Sequence, residues 1–364
     1  MMPRPARRAY VFDRAPVMLY WEITQACDLA CTHCRANAAP CRDPGELDFL
    51  EAMGLLSQVA GFGSPLPHLV ITGGDPLKRP DLEDIVRQAG QRRIPVSLAP
   101  SATPLLTIDA LACLKAAGMS GLSLSVDGST AKQHDRLRRV VGCFERSLAA
   151  ARAAVDLGLA LQINTLVSAE TLADLPQIYE LIKDLAIRRW SLFFLIGVGR
   201  GSVLRNVSPQ EADRVCDWLF TLALEAPFTV AATEAPFYRR VALERVQHAG
   251  RLQHGSGTIP IARSFGIRDG NGIAFVSHTG EVTPSGFLPV VAGNVRETSL
   301  VDVYRSAPLF TTLRDVDQLR GKCARCPFKA LCGGSRARAF AHTGDYLEAD
   351  PLCAYEPPED LSAA

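Results

Sequence analysis

From residue 17 to residue 196 short β-rich apolar runs alternate with longer amphipathic stretches. The runs are VMLYWEI (17–23), HLVIT (68–72), IPVSLA (94–99), GLSLSV (121–126), LALQINTLV (159–167) and WSLFFLI (190–196). Between them stand helical patterns such as DLEDIVRQAGQ (81–91), IDALACLKAAG (108–118) and FERSLAAARAAVDLG (144–158). Strands joined by helical crossovers run parallel, because each crossover carries the chain back to the end of the sheet where the previous strand began. Six such units without a doubly wound fingerprint predict an α/β fold, a partial (β/α)6 TIM-like barrel. Chemistry then gathers at the carboxyl ends of the strands.

The rhythm changes after Arg200. Ser208 reads as the cap of a helix over 208–225, with Pro209 at its first position. Residues 248–272, rich in Gly, His and Ser, read as a loop or substrate-facing segment, and GIAFVSHTGEVTPSG (272–286) as a hairpin turning at Thr279-Gly280. The expected organisation is an N-terminal tail over 1–16, a barrel over 17–225, a connecting segment over 226–271 and a C-terminal Cys-rich module over 272–364. A chain of 364 residues, 48% of them apolar, can fill a core of that size.

Charge excludes some partners. Lys and Arg (39) nearly cancel Asp and Glu (38), so no basic field points to nucleic acid. The basic N-terminus has no apolar stretch behind it, and no run approaches the ~18 apolar residues of a transmembrane helix. A cytoplasmic protein without membrane association is the expectation.

Eleven cysteines then need a reason. In a reducing compartment a disulfide framework is disfavoured and clustered thiols bind metal. Cys41, Cys113, Cys143 and Cys216 are scattered and read as buried small hydrophobes, Cys41 the least firmly. Cys27, Cys31 and Cys34 follow the first strand with spacing C-x3-C-x2-C. Three thiolates on one loop can hold three irons of a 4Fe–4S cube and leave the fourth without a protein ligand. An open position marks a catalytic rather than a structural centre. The alternative is zinc completed by His33, which adjoins Cys34 and bends back awkwardly.

This arrangement resembles the signature loop of the radical S-adenosylmethionine (SAM) superfamily. The resemblance implies a SAM-binding 4Fe–4S cluster on Cys27, Cys31 and Cys34, and reductive cleavage of SAM to a 5′-deoxyadenosyl radical that abstracts a substrate hydrogen. It also implies SAM contacts. His33 stands where members carry a ring near the adenine. Thr72, Gly73, Gly74 and Asp75, in TGGDP, are similar to the Gly-Gly-Glu-Pro segment, with Asp75 in place of Glu. Ser101, Ser125, Asp127 and Asn164 fall at or near strand ends where members contact SAM, and Arg136 or Arg138 is placed to reach its carboxylate.

Cys323, Cys326, Cys332 and Cys353 form a second set, C-x2-C-x5-C followed by a fourth cysteine. Four thiolates saturate either a cube or a zinc ion. The spacing resembles the SPASM extension of radical SAM enzymes, here shortened, with Ser285 and Arg336 standing near where two further cysteines would fall. It implies one auxiliary 4Fe–4S cluster for electron transfer or structural support, with zinc as the competitor.

CGGSRARAFAHTGDYLEADPLC (332–353) and GVGRG (197–201) resemble the branch holding tetrapyrrole-modifying haem synthase and haem d1 enzymes and the mycofactocin peptide maturase. That branch implies a radical oxidative modification or decarboxylation of a tetrapyrrole, or of a ribosomal peptide. A low-potential donor such as flavodoxin or ferredoxin would supply the electron. Arg200, Arg336 and Arg338 are candidate forks onto substrate carboxylates. Only about sixteen residues precede the first strand, too few for a fused leader-binding module, which favours a tetrapyrrole. The rival from another class is a non-enzymatic iron–sulfur or zinc protein.

Overall fold

The computed structural model describes residues 12–250 and 266–358. Most of the glycine- and histidine-rich stretch expected as a loop therefore lies outside the described residues. The six expected strands are β1 (Met18–Glu22), β2 (His68–Thr72), β3 (Val96–Leu98), β4 (Gly121–Ser125), β5 (Ala160–Val167) and β6 (Arg189–Phe194). All run parallel, each paired with its neighbour in sequence. Helices α1 (Phe49–Ala60), α2 (Leu82–Gln91), α3 (Ile108–Ala117), α4 (Ala131–Arg138), α5 (Cys143–Asp156) and α6 (Leu175–Ile182) make the crossovers.

Alternation along the strands separates two environments. Leu122 and Leu124 of β4 are buried in the core, while Ser123 and Ser125 line the inner cavity. Asn164 of β5 sits opposite Ser125 and lines it as well. The period-2 pattern thus places a polar inner wall beside an apolar outer one.

Helix α7 (Pro209–Glu225) begins as expected. Ser208 accepts from the Glu211 N–H at 3.2 Å, and Glu211 accepts in return from the Ser208 N–H at 2.8 Å. The stretch expected as a connector then folds into a seventh parallel strand, β7 (Thr229–Thr233), beside β6, followed by α8 (Tyr238–Gly250). Its sequence, TVAAT, is short and has only one large apolar residue, so the pattern signal is weak.

The C-terminal elements are β8 (Ile273–Val276), β9 (Glu281–Thr283), β10 (Gly293–Asn294), α9 (Leu300–Ser306), α10 (Pro308–Arg314), α11 (Gly321–Ala324) and α12 (Arg336–Thr343). The expected hairpin is present, turning through Gly280 at φ +85. Its first strand pairs in parallel with β1. One sheet, ordered β10-β9-β8-β1-β2-β3-β4-β5-β6-β7, therefore carries both parts of the chain. Glu22 locks the junction, accepting from Arg35 at 2.5 Å and standing 2.8 Å from His278 Nδ1.

Two cysteines correct the sequence reading. Cys143 and Cys216 are buried, but Cys41 is exposed, and so is Cys113, because Leu111, Leu114 and Ala117 define the buried face of α3. No described helix is long and apolar enough to cross a membrane.

Two outcomes follow from these contacts. Ser208→Ala removes the cap of α7 and lowers stability by about 1 kcal/mol in denaturant unfolding of the anaerobic protein. For the Glu22–His278 pair, burial pushes the Glu22 carboxyl up, but His278 and Arg35 outweigh it and hold it below its ordinary 4.5. Burial pushes His278 down, but Glu22 outweighs it and lifts the imidazole above its ordinary 6.5. The pair's contribution is complete between pH 4.5 and 6.5. It is lost below as Glu22 protonates and above as His278 deprotonates. His278→Gln should flatten the alkaline decline in a melting-temperature profile against pH; an unchanged decline would assign it elsewhere.

Candidate active site

The three-cysteine loop leaves the carboxyl end of β1 and is held mostly by main chain. Cys27 N–H donates to Ala39 O at 2.7 Å, Thr32 N–H to Leu137 O at 2.9 Å and Cys34 N–H to Cys31 O at 3.2 Å. Two neighbouring loops press against it. Gly74 N–H donates to Thr24 O at 2.8 Å and Asp75 N–H to Ala26 O at 2.7 Å. A Cβ on Gly73 would fall 2.4 Å from Thr24 O, and one on Gly74 2.4 Å from Ala26 O. The glycines of TGGDP therefore admit the neighbouring backbone as well as lining the cavity.

The GVGRG segment after β6 does the same from the other side. Gly199 has φ +54, and a Cβ there would lie 2.4 Å from Arg35 O and 2.5 Å from Cys34 O. Arg200 N–H donates to Cys34 O at 2.9 Å, its Nε to Cys31 O at 3.0 Å and its Nη1 to Ala38 O at 3.1 Å. Arg200, expected as a fork onto substrate, is largely occupied in holding this loop.

A cavity of about 250 Å³ opens at the carboxyl ends of the strands. The three cysteines, His33, Thr72, Gly73, Gly74, Ser101, Ser125, Asp127 and Asn164 all line it. Phe193, Leu195, Ile196, Val198 and Phe287 supply an apolar wall. Ser101 Oγ donates to Gly74 O at 2.7 Å and lies 3.3 Å from Cys27 Sγ. Asn164 Oδ1 accepts from Gln162 at 2.7 Å.

Asp127 organises the far side. It pairs with Arg138, accepts from the Leu166 N–H at 2.7 Å and stands 3.9 Å from His33 Nε2. Burial pushes the Asp127 carboxyl up, but Arg138 and the two nearby imidazoles hold it below its ordinary value. Burial, with Arg138 adding, pushes His33 down to about 4, so the ring is neutral at neutral pH. Arg138 Nη1 lies 3.7 Å from Cys31 Sγ.

Two expected contacts are corrected. Asp75 does not line the cavity: its carboxylate accepts from Thr103 at 2.7 Å and from the Leu77 N–H at 3.2 Å, tying the β2 loop to the β3 loop. Its side chain is shorter than the usual Glu and is spent within the loops. Arg136 is exposed, and Arg138, two residues on, occupies the site, because α4 turns His134 and Leu137 inward. Sequence reasoning also missed Ser123, although its period-2 relation to Ser125 would have found it.

The second cysteine set lies in the C-terminal part. Burial pushes the Cys332 thiol up to about 12 and Cys353 to about 11. Binding to a metal centre would deprotonate them. The buried Cys216 of α7 interacts with both, a neighbour the sequence did not reveal. Among the described residues no three His, Cys, Asp or Glu groups converge as ligands of a single ion do; thiolates spread over the irons of a cube need no such convergence. Arg336 and Arg338, expected to meet substrate, are buried instead. Arg336 donates to Tyr346 O and Glu348 O at 3.0 and 2.7 Å, and Arg338 to Asp350 at 3.2 Å and Glu234 O at 2.6 Å.

The donor set suits the cofactors such a fold implies. Three thiols on one loop face a cavity in which His33 Nδ1, Arg138 Nε and Arg200 Nη2 are buried without a partner among the described residues. Parallel strands that set such a loop over such a cavity define a radical SAM enzyme, and the chain belongs to the radical SAM superfamily. Residues 21–182 match the radical SAM superfamily model, and 268–327 match SPASM, an iron–sulfur cluster-binding domain.

Within the superfamily the chain is 39% identical to the AdoMet-dependent heme synthase of Methanosarcina barkeri over 347 residues, 94% of this chain and 97% of that protein. It is 28% identical to the PqqA peptide cyclase of Methylocella silvestris, covering 96% of this chain and 90% of that one. The crystal structure of Streptococcus suis SuiB bound to S-adenosylmethionine shares the fold at TM-score 0.71 and 17% identity, over 94% of this chain and 78% of that one. The protein is an enzyme that uses SAM, a SAM-binding 4Fe–4S cluster and an auxiliary iron–sulfur cluster.

Gly199→Ala tests the packing around the loop. It should lose the irons of the first cluster while keeping those of the second, so that anaerobic iron content falls from about eight towards about four per chain.

Proposed function

We propose that the chain oxidatively decarboxylates propionate side chains of a tetrapyrrole. The observation that carries this reading is whole-length similarity: 39% identity to a protein named for heme synthesis, against 28% to a peptide cyclase. The broad apolar wall of Phe193, Leu195, Ile196, Val198 and Phe287 suits a flat hydrophobic substrate.

In this reading Cys27, Cys31 and Cys34 hold the catalytic cluster, and Cys323, Cys326, Cys332 and Cys353 the auxiliary one. The barrel extends through α8, and the C-terminal module begins near residue 266. Bound together, the catalytic cluster and SAM supply a 5′-deoxyadenosyl radical. His33, Thr72, Gly73, Gly74, Ser101, Ser125 and Asn164 surround SAM. Asp127 orients His33 and Arg138, Arg200 fixes the cysteine loop, and the apolar wall excludes water from a reactive substrate radical.

The chemistry balances simply. The propionate loses one hydrogen atom from the carbon attached to the ring, then carbon dioxide and one electron, leaving a vinyl group. The auxiliary iron–sulfur cluster would accept that single electron. A flavodoxin- or ferredoxin-type donor in the cytoplasm would supply the electron for SAM cleavage. Eleven free cysteines accord with a reducing compartment.

The test is anaerobic incubation of the reconstituted enzyme with SAM, a strong reductant and iron coproporphyrin III. Mass spectrometry should show loss of one carbon dioxide and two hydrogens per propionate, with 5′-deoxyadenosine formed. SAM cleavage without any change in the tetrapyrrole would discard this substrate and turn the search to peptides.

A further inference from the structure

We propose that Arg268 and Arg336 clasp the Cys332–Gly333–Gly334 turn as a cationic cradle that raises the reduction potential of the auxiliary cluster. Gly333 and Gly334 both adopt left-handed backbone, φ +69 and +65. A Cβ on Gly333 would lie 2.8 Å from Arg268 Cδ, and one on Gly334 2.4 Å from Arg336 Nη2 and 3.5 Å from Cys323 Sγ. The paired glycines therefore make room for two guanidinium side chains against the cysteine turn.

Both side chains are buried, Arg336 at 0% exposure and Arg268 at 4%. Their nitrogens end on backbone carbonyls rather than carboxylates. Arg268 donates from Nη1 to Gly266 O at 3.2 Å, and from Nη2 to Leu313 O and Arg314 O at 3.1 and 3.2 Å. Arg336 donates to Gly334, Tyr346 and Glu348 carbonyls, and its Nη2 lies 3.9 Å from Cys323 Sγ. Arg239 adds a third cation, bonded to the carbonyls of Leu331 and Cys332 at 3.3 and 3.4 Å.

The neighbouring acids do not cancel this charge. Asp350 pairs with Arg338. Asp269 accepts from the Arg336 and Ala337 N–H groups at 3.1 and 3.0 Å, capping α12. Burial, with Asp269 adding, pushes Glu234 up to about 8, and its carboxyl accepts from Ser335 Oγ at 2.6 Å. Arg239, Arg268 and Arg336 thus all end on carbonyls at or beside the cysteine turn.

Buried charge without a counter-ion is strongly unfavourable. A cube held by four thiolates supplies the counter-charge, being anionic when oxidised and more so when reduced. Cations and an N–H···S contact favour the more negative state, and cluster potentials respond to both. An auxiliary cluster tuned upward would suit the electron that propionate oxidation releases, a consequence that rests on the substrate reading above.

The experiment is a redox titration of the holoenzyme, followed by EPR of the reduced-cluster signal that SAM does not move, with iron counted on the same samples. Arg268→Gln and Arg336→Gln should each shift the one-electron equilibrium about tenfold towards the oxidised form, a fall of about 59 mV, with iron retained. Arg268→Lys and Arg336→Lys should recover most of the shift. Potentials unchanged in both Gln variants with iron retained would overturn the proposal. Loss of the auxiliary irons in both would reduce the arginines to scaffold and overturn it too, as would absence of any SAM-insensitive signal. No substrate enters the titration, so failure to convert a tetrapyrrole would strike the substrate reading alone.

Discussion

Main chain touching main chain is the constraint on which the active site depends. The three-cysteine loop buries Cys27, Leu29 and Cys31 in the core, and loops from β2 and β6 hold it by direct backbone contact. Gly73, Gly74 and Gly199 are placed so that a Cβ would strike a backbone atom at 2.4 Å. Such a contact cannot relax by moving a flexible side chain. It fixes three thiols over one cavity at a precision that hydrogen bonds to mobile groups would not reach.

Buried charges reinforce that frame. Asp127 receives Arg138 and approaches His33, which links the wall of β4 to the cysteine loop. Glu22 receives Arg35 from just beyond the third cysteine and His278 from the C-terminal hairpin. Removing one partner of a buried pair leaves the other uncompensated, so these residues are coupled in stability. Arg200 serves through carbonyls, closing the loop onto the segment after β6.

The C-terminal part is an extension of the same sheet. Strand β8 joins β1, and Arg338 and Ser335 reach across to Glu234 at the end of β7. The second cysteine set is thereby referred to both edges of the parallel array, which keeps the two cysteine sites in a fixed relation. Its environment differs sharply from the first. The loop cysteines face a cavity with polar donors, whereas Cys332 is buried and its carbonyl accepts from Arg239.

The sequence by itself determined the six parallel strands, the capped α7, the hairpin and the two cysteine sets. Each is encoded locally, by a period of two, by a Ser-Pro start or by thiol spacing, and local codes survive without tertiary context. Strand β7 escaped because TVAAT carries little apolar pattern, and the β8–β1 pairing because it joins residues some 250 positions apart. Only the tertiary structure decided that Arg138 rather than Arg136 enters the cavity, that Asp75 turns away from it, that Arg200 braces the cysteine loop, and that Arg336 and Arg338 are buried in the C-terminal part. A side chain's direction depends on which helix face or loop carbonyl meets it. That is set by packing between distant segments, which residue type and spacing do not encode.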